Sequence, residues 1–575
     1  MLAVVLCLAV LFWVARFYLG LRKYPPGPLP LPLFGNLGQI FINWLRGKSL
    51  TDLLYQWKKD HGNVITFWVG PFVSVCVLDY DLAVETYVKN GDVFVGRQQF
   101  PVLTEIREGL GIIFSQGPLW LEQRRFALHT LRDFGLGRNS MQEKILDEYH
   151  KRMDPLDAKI DSEGGKLRIN PKTEFLTLLE NILDEYHKRI DPLDAKIDSE
   201  GGKLRINPKT EFLTLLVGSI INRILVGYSF DESNMDEFLE IRNAIERANE
   251  SVSVFDFVLL CTGWKDMPFI NKRYELMMEG EKRSVAFGFR QLNRRREEIE
   301  SGKYQLVDDS DAKDFIDAFL LEIKRREESG EEKNSFIDKQ LVYAILDMWS
   351  AGMETTITTL SWAFLYLLKN PEVQEKMRKE LLEVCGYERD VELSDRQLLP
   401  YCNATITEVH RATSLLTLNV MRRNTEDTTI GGYSVPQGTD NAVLMSVIFK
   451  DEDIFKNPTL FNPERYLGED GKEIEQKVIP FGVGKRSCLG EGLAKAEIYL
   501  ILLNIVKSYR IVDCDGVDAN WLESNNMFIL LNIVKSYRIV DCDGVDANWL
   551  ESNNMFVRIP KSYECVFEKV QGISK

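Results

Sequence analysis

The sequence predicts a mainly α-helical protein with small β-sheets, and three observations carry that prediction. Long, charged, amphipathic stretches run without proline; β-type alternation is confined to two short regions; and 45% hydrophobic content supplies the core of one large domain or several smaller ones. The run FGFRQLNRRREEIE, Phe287 to Glu300, has apolar positions at helical spacing among its charges. The longest helix candidate begins near Asp338 and continues to Asn370, where Pro371 stops it. Strand-like patterns occur at NVITFWVGPFVSVCVLDY, residues 63–80, and in the tail FVRIPKSYECVFEK, residues 556–569, which alternates like a hairpin.

The 575 residues include 71 basic and 86 acidic side chains, a formal charge of -15. That balance argues against nucleic acid as a partner, because neutralising phosphates takes clustered Lys and Arg. The nine cysteines, among them Cys7, Cys76, Cys385, Cys402 and Cys488, form no C-x-x-C pair, which suits a reducing compartment better than a disulfide framework.

At the amino end, MLAVVLCLAVLFWVA carries no charged side chain; Arg16, FYLGL, Arg22 and Lys23 follow. Residues 1–21 are read as an N-terminal membrane anchor, with Arg16 snorkelling to the interface and the downstream positive charge keeping the following domain in the cytosol. A cleaved signal would need a basic stretch before the apolar run and a small-residue cleavage site. The alternative is a buried first helix. Residues 22–38 form a proline-rich linker, with prolines at 25, 26, 28, 30 and 32, expected to be a stiff spacer; its composition also suits a ligand of a proline-binding module. The remaining 39–575 is one large domain.

Two tandem duplications interrupt that domain. Ile145 to Leu179 recurs as Ile182 to Leu216 with one difference, Met153 against Ile190, and Ile501 to Phe528 recurs unchanged as Ile529 to Phe556. Solenoids need several diverging units, so these pairs read as a recent duplication or an assembly error. Continuity assigns the first copy of the second pair to the helix after the cysteine loop and the second copy to the terminal strands.

The strongest chemical signal is FGVGKRSCLG, where Phe481, Gly484, Arg486, Cys488 and Gly490 fill F-x-x-G-x-R-x-C-x-G. A thiolate ligand to iron needs a tight, glycine-permitted loop whose N–H groups point at sulfur. The helix expected at EGLAKAEIYLILLNIV would add the positive potential of its amino end. A lone cysteine is ordinarily an inert buried thiol, but five matching positions single out Cys488 as the metal ligand, with Arg486 placed to meet a haem propionate.

These residues resemble the cytochrome P450 family, and within it the microsomal family-2-type monooxygenases. The resemblance runs from the proline segment to KSYECVFEK, excepting the surplus duplicate units. It implies a P450 fold with a long central helix over the haem and a Cys-ligand loop beneath it, making 39–575 a haem-binding monooxygenase domain. Arg97, Trp120, Arg124, Arg422 and Arg486 would hold the propionates of haem b, with Gly484 and Gly490 shaping the loop around Cys488. Trp120 and Arg124, four apart in WLEQRR, share a helix face. In AGMETT, Glu354 would relay protons and Thr355 would hydrogen-bond the oxygen being reduced, while Gly352 would weaken and open the helix. Glu408, Arg411 and Arg465 would form a buried structural ion network. Phe100 to Phe114, the face at Ala351, the loop near Thr417 and the terminal hairpin would border the substrate.

The implied activity is insertion of one oxygen atom of O2 into a lipophilic molecule: a xenobiotic, fatty acid or steroid. NADPH-cytochrome P450 reductase would supply electrons, docking on Arg125, Lys485 and Lys495, with cytochrome b5 a second donor. The setting would be the endoplasmic reticulum membrane, with membrane lipid around the anchor and the domain in the cytosol. Two alternatives stand beside it: a thiolate-haem isomerase, which would not need the proton relay, and a catalytically silent haem binder or inactive duplication product.

Overall fold

The computed structural model describes residues 2–46, 48–99, 101–134, 139–162, 213–250, 267–306, 312–332, 334–512 and 566–569. Helices dominate. The main sheet joins β1 (Val64–Val69), β2 (Phe72–Val77), β3 (Arg422–Arg423) and β6 (Asp440–Val443) in the order β1-β2-β6-β3. β1 and β2 form the antiparallel hairpin expected from the alternation, paired from Val64↔Val77 to Val69↔Phe72; β6 runs parallel to β2, and β3 antiparallel to β6. Two small ribbons, β4 (Thr428–Ile430) with β5 (Tyr433–Val435) and β7 (Tyr509–Val512) with β8 (Val566–Lys569), complete the strands among the described residues.

The helix Asp338–Lys369 is the spine. Largely apolar and buried along most of its length, it depends on packing inside a core; Ile345, Trp349, Ile357, Leu360, Trp362 and Phe364 are buried. Helices Thr214–Val226, Pro268–Glu300, Pro400–Thr413 and Glu491–Ser508 pack on it. It ends where expected: Asn370 leaves helical dihedrals (φ -125°, ψ 67°), and Pro371 opens the next helix, where a missing N–H costs nothing. It is not the longest, however. Pro268–Glu300 has 33 residues against its 32, because the amphipathic run beginning at Phe287 is the second half of a helix that starts at Pro268.

The described residues include parts of both duplicated pairs. Helix Asn139–Ser162 uses the beginning of the first copy, burying Ile145, Tyr149 and Met153, and helix Thr214–Val226 begins in the last residues of the second, burying Leu215 and Leu216. Ile501 to Val512, from the first copy of the second pair, completes the helix Glu491–Ser508 and forms β7, while β8 follows the second copy. The tail strand therefore pairs with β7, Tyr509↔Lys569 through Val512↔Val566. The other arm of the expected tail hairpin lies outside the described residues, as do Met527, Phe528, Met555 and Phe556.

The first helix, Leu2–Gly20, has 19 residues, about 28 Å at 1.5 Å per residue. Among the described residues no helix is long and apolar enough to cross a membrane. Val4, Val5, Leu8, Leu11 and Phe12 are exposed, so this segment is not a buried first helix, although its end touches the sheet through an edge contact of Phe17 with Trp68 at 5.6 Å. The proline-rich stretch is docked rather than a free spacer. The Thr66 amide donates to the Pro26 carbonyl at 2.9 Å, and the Asn36 side chain donates to the Pro28 carbonyl while accepting from the Trp68 amide.

Candidate functional site

A cavity of about 380 Å³ lies between the central helix, the cysteine loop and the helix that follows it. Met348, Ala351, Gly352, Thr355 and Thr356 line it from the central helix and Pro480 to Gly482 and Arg486 to Gly490 from the loop. The central helix continues unbroken through Gly352, contrary to the expected opening. A Cβ there would meet the Cδ1 of Ile221 at 2.8 Å, so glycine's small size admits the neighbouring helix.

The cysteine loop is a run of tight turns. Ser487 N–H donates to the Gly484 carbonyl and Cys488 N–H to the Phe481 carbonyl, each at 2.9 Å. Gly484 has φ +76°, and a Cβ there would sit 1.8 Å from the Tyr87 carbonyl oxygen, so both backbone and space demand glycine. Gly484→Ala is expected to lose about 1–2 kcal/mol to the left-handed backbone alone and more to the clash, read as a lower melting temperature and lower haem uptake. Gly490 has an ordinary φ of -89°; its contribution is as the N-cap of Glu491–Ser508, with its amide directed at the Cys488 sulfur. Cys488 has accessible surface because it lines the cavity, yet surrounding protein makes burial the largest influence, raising its thiol pKa. The Gly490 amide and Arg124 pull the pKa down, and Glu491 pushes it up.

Four arginines converge beside this loop with backbone carbonyls as partners. Arg486 donates to the Val95 and Ser115 carbonyls at 2.8 Å, Arg97 to those of Ile113 (3.0 Å), Val420 (2.8 Å) and Met421 (2.6 Å), Arg124 to Ser487 (2.8 Å) and Arg422 to Val483. The Arg486 guanidinium stacks on Trp120 at 3.7 Å. Burial and mutual repulsion push Arg486 down to about 8, while burial, more than the neighbouring cations, brings Arg97 to about 9 and Arg422 to about 10. Nη1 of Arg486 and Nε of Arg422 are buried without a hydrogen-bond partner. Concentrated buried cation with orphaned donors is the complement of a buried dianion, and the two propionates of haem b fit that description. Trp120, Arg97, Arg124 and Arg486 line the cavity; Arg422 and Gly484 support it from behind, against Tyr87.

On the central helix, Thr355 lines the cavity and its hydroxyl donates back to the Ala351 carbonyl at 2.6 Å, leaving its lone pairs to accept. Glu354 is half-buried and is not among the cavity-lining residues; its carboxylate accepts from Thr358 at 3.5 Å. Two acids do reach the cavity, Asp347 and Glu497, and the motif reading missed both. Glu497 accepts from Thr356 at 3.1 Å, and burial pushes it up to about 8. Its signal was an acid inside the apolar helix AEIYLILL. His410 also lines the wall, half-buried, and burial and Lys495 push its pKa down to about 4.

Glu408, Arg411 and Arg465 are brought together. Arg411 makes a two-pronged contact with Glu408, both bonds 2.8 Å, and Arg465 reaches it at 3.2 Å. Tyr466, unnoticed in the sequence, donates to Glu408 at 2.8 Å, and burial and Glu408 drive its hydroxyl pKa up. Of the regions expected at the substrate border, Ile112, Ile113, Ala351, Leu415, Leu416 and Val420 line the cavity; Thr417 is buried behind them. Arg125 is exposed, whereas Lys485 is engaged by Asp92 and Lys495 by Glu491 at 2.6 Å.

The family model described as Cytochrome P450 matches residues 25–184 and 169–539. The chain belongs to the cytochrome P450 family. The overlap of the two matched stretches straddles the junction of the first tandem pair, as a single-copy family model must when it meets a repeat. The chain is similar to a probable cytochrome P450, cyp-35D1, of Caenorhabditis elegans, with 34% identity covering 88% of this chain and 92% of the relative. It is also similar to cytochrome P450 2U1 of Bos taurus (29%; 88% and 87%) and cytochrome P450 2C4 of Oryctolagus cuniculus (29%; 88% and 91%). Membership makes this chain a haem-thiolate monooxygenase that binds haem b, in a mostly helical P450 fold.

Proposed function

We propose that this cytochrome P450 oxygenates an uncharged lipophilic substrate of the xenobiotic, fatty acid or steroid class, using electrons from NADPH passed through NADPH-cytochrome P450 reductase. The observation that carries this reading is the cluster of Arg97, Arg124, Arg422 and Arg486, with orphaned buried donors on Arg422 and Arg486, beside a cavity whose wall includes Cys488. In this reading Cys488 would ligate the haem iron; Arg97, Trp120, Arg124, Arg422 and Arg486 would hold the propionates; Gly484 and Gly490 would shape the ligand loop. When bound, the haem supplies an iron that activates O2 with electron density pushed from the thiolate.

The chain's own contribution on the opposite side is exclusion of water and delivery of protons. Ile112, Ile113, Ile224, Leu225, Leu416 and Val420 make a dry wall suited to a lipophilic substrate. Thr355, with its proton held by Ala351, accepts a hydrogen bond, and Glu354 feeds protons along the helix towards it. Thr355→Ala and Glu354→Gln are each expected to reduce turnover about 10–100-fold while raising hydrogen peroxide released per NADPH consumed. Unchanged coupling in both would remove these roles.

The exposed apolar face of Leu2–Gly20, followed by Arg22 and Lys23, supports attachment to the endoplasmic reticulum membrane with the domain in the cytosol. Arg125, Lys485 and Lys495 would dock the reductase, exchanging the local partners of the two lysines for acidic residues of the flavin domain, and cytochrome b5 would use the same face. The test is the reduced CO spectrum of the full chain together with product formation from NADPH and reductase. Thiolate binding without NADPH-dependent product would favour the silent reading.

A further inference from the structure

Arg107 lies outside the cavity-lining set and reaches the cavity wall from behind. It pairs with Asp347, a lining residue of the central helix, and its Nε stands 3.3 Å from Glu281 of helix Pro268–Glu300. Asp347 is held from a second direction: one carboxylate oxygen accepts from the Ile112 and Ile113 amides at 2.7 and 3.0 Å. The arginine lies over Phe114 and Tyr343, at 5.7 and 5.4 Å, so it is fixed between two rings and two acids. Burial alone would lower its pKa, but Asp347 and Glu281 outweigh that and raise it. The same segment is latched elsewhere by Gln340, which accepts from the Gly111 amide at 2.9 Å and donates to its carbonyl at 3.1 Å. The other acid of the wall, Glu497, is tied to Thr356 on a different part of the helix.

We propose that Arg107 is a specificity-determining residue: by neutralising Asp347 from outside the cavity it leaves this stretch of the wall, between Ile112 and Met348, without net charge, so that neutral lipophilic molecules enter there and lipophilic cations do not. The proposal rests on the monooxygenase cavity described above and adds its charge selectivity. Without Arg107, the Ile112 and Ile113 amides would still donate to the Asp347 carboxylate, with Glu281 nearby and no cation between the two acids. A buried carboxylate held by amides on an apolar wall is a site for an organic cation. Arg107 is therefore what separates this cavity from an amine-binding one.

The test uses the full haem-loaded chain and two probes of one shape, an arylalkyl trimethylammonium ion and its uncharged tert-butyl isostere, neither of which can ligate iron through nitrogen. Equilibrium dialysis gives the ratio of their Kd values, independently of turnover, so failure of the oxygenation reading would be visible separately as absent NADPH-dependent product. Wild type is expected to prefer the isostere. Arg107→Met should shift the ratio towards the cation by about tenfold or more, and Arg107→Met with Asp347→Asn should return it to within about threefold of wild type. An unchanged ratio in Arg107→Met, a gain that survives Asp347→Asn, or a wild type that already prefers the cation overturns the proposal. Should Arg107→Met fail to take up haem, Arg107→Gln, which keeps a donor to Asp347, carries the same test. A shift of about threefold or more towards the cation supports the proposal, and a smaller one overturns it.

Discussion

Cys488→Ser is expected to abolish the red-shifted CO band of thiolate ligation and to lower NADPH-driven product formation by at least about a thousandfold, or about 4 kcal/mol of transition-state stabilisation. Burial raises the thiol pKa of this residue, and the loop supplies part of the counterweight that a sulfur anion on iron would need. The Gly490 amide points at it, Arg124 lies close enough to lower the thiol pKa, and the helix Glu491–Ser508 begins directly beyond. A serine hydroxyl in the same place offers a much weaker anion to iron, so the loop can keep its shape while losing the electron donation that oxygen activation needs. Exposed Cys7 and buried Cys76 provide controls: both lie outside the cavity-lining set, and Cys76 has its thiol pKa driven up by burial. Cys7→Ser should leave the band intact. A thiolate band persisting in Cys488→Ser would reassign the ligand.

Glu408→Ala should destabilise the fold by about 3–5 kcal/mol, because it leaves Arg411 and Arg465 buried without their anion and Tyr466 without its acceptor. Glu408 and Arg411 are essentially without solvent contact, at 0% and 2% exposure, so water cannot replace the lost partner. Chemical denaturation followed by haem absorbance gives the loss directly. The informative companion is Glu408→Leu with Arg411→Met, which removes the closest pair together and should recover part of the stability lost in Glu408→Ala. If the single and double variants are equally unstable, the network's value lies in the carbonyls that Arg411 also binds, Phe449 and Pro458, at 2.9 and 2.8 Å. If the single change is nearly neutral, the network is not structural.

What could be read from the chain depended on the distance over which each feature is decided. The β1–β2 hairpin and the helix ending before Pro371 are local, set by alternation and by a ring that cannot continue a helix. The cysteine loop is local too, since Gly484 and Cys488 lie four residues apart. Asp347, Glu497 and Tyr466 were illegible for the opposite reason. An acid in a helix looks the same whether it faces water or a cavity, and the Asp347–Arg107 and Glu497–Thr356 contacts join residues more than a hundred positions apart. Gly352 was misread because its role is set by Ile221 on another helix.

The sequence by itself determined the helical class, the tight cysteine loop and the order of the arginines, because periodicity, glycine spacing and motif order are properties of neighbours in the chain. Tertiary structure alone decided that the arginines converge with donors left over, that the first duplicated pair contributes one copy's beginning and the other's end, and that Arg107 covers Asp347. Burial, mutual repulsion and charge neutralisation depend on distances between segments, and those distances exist only once the chain has folded.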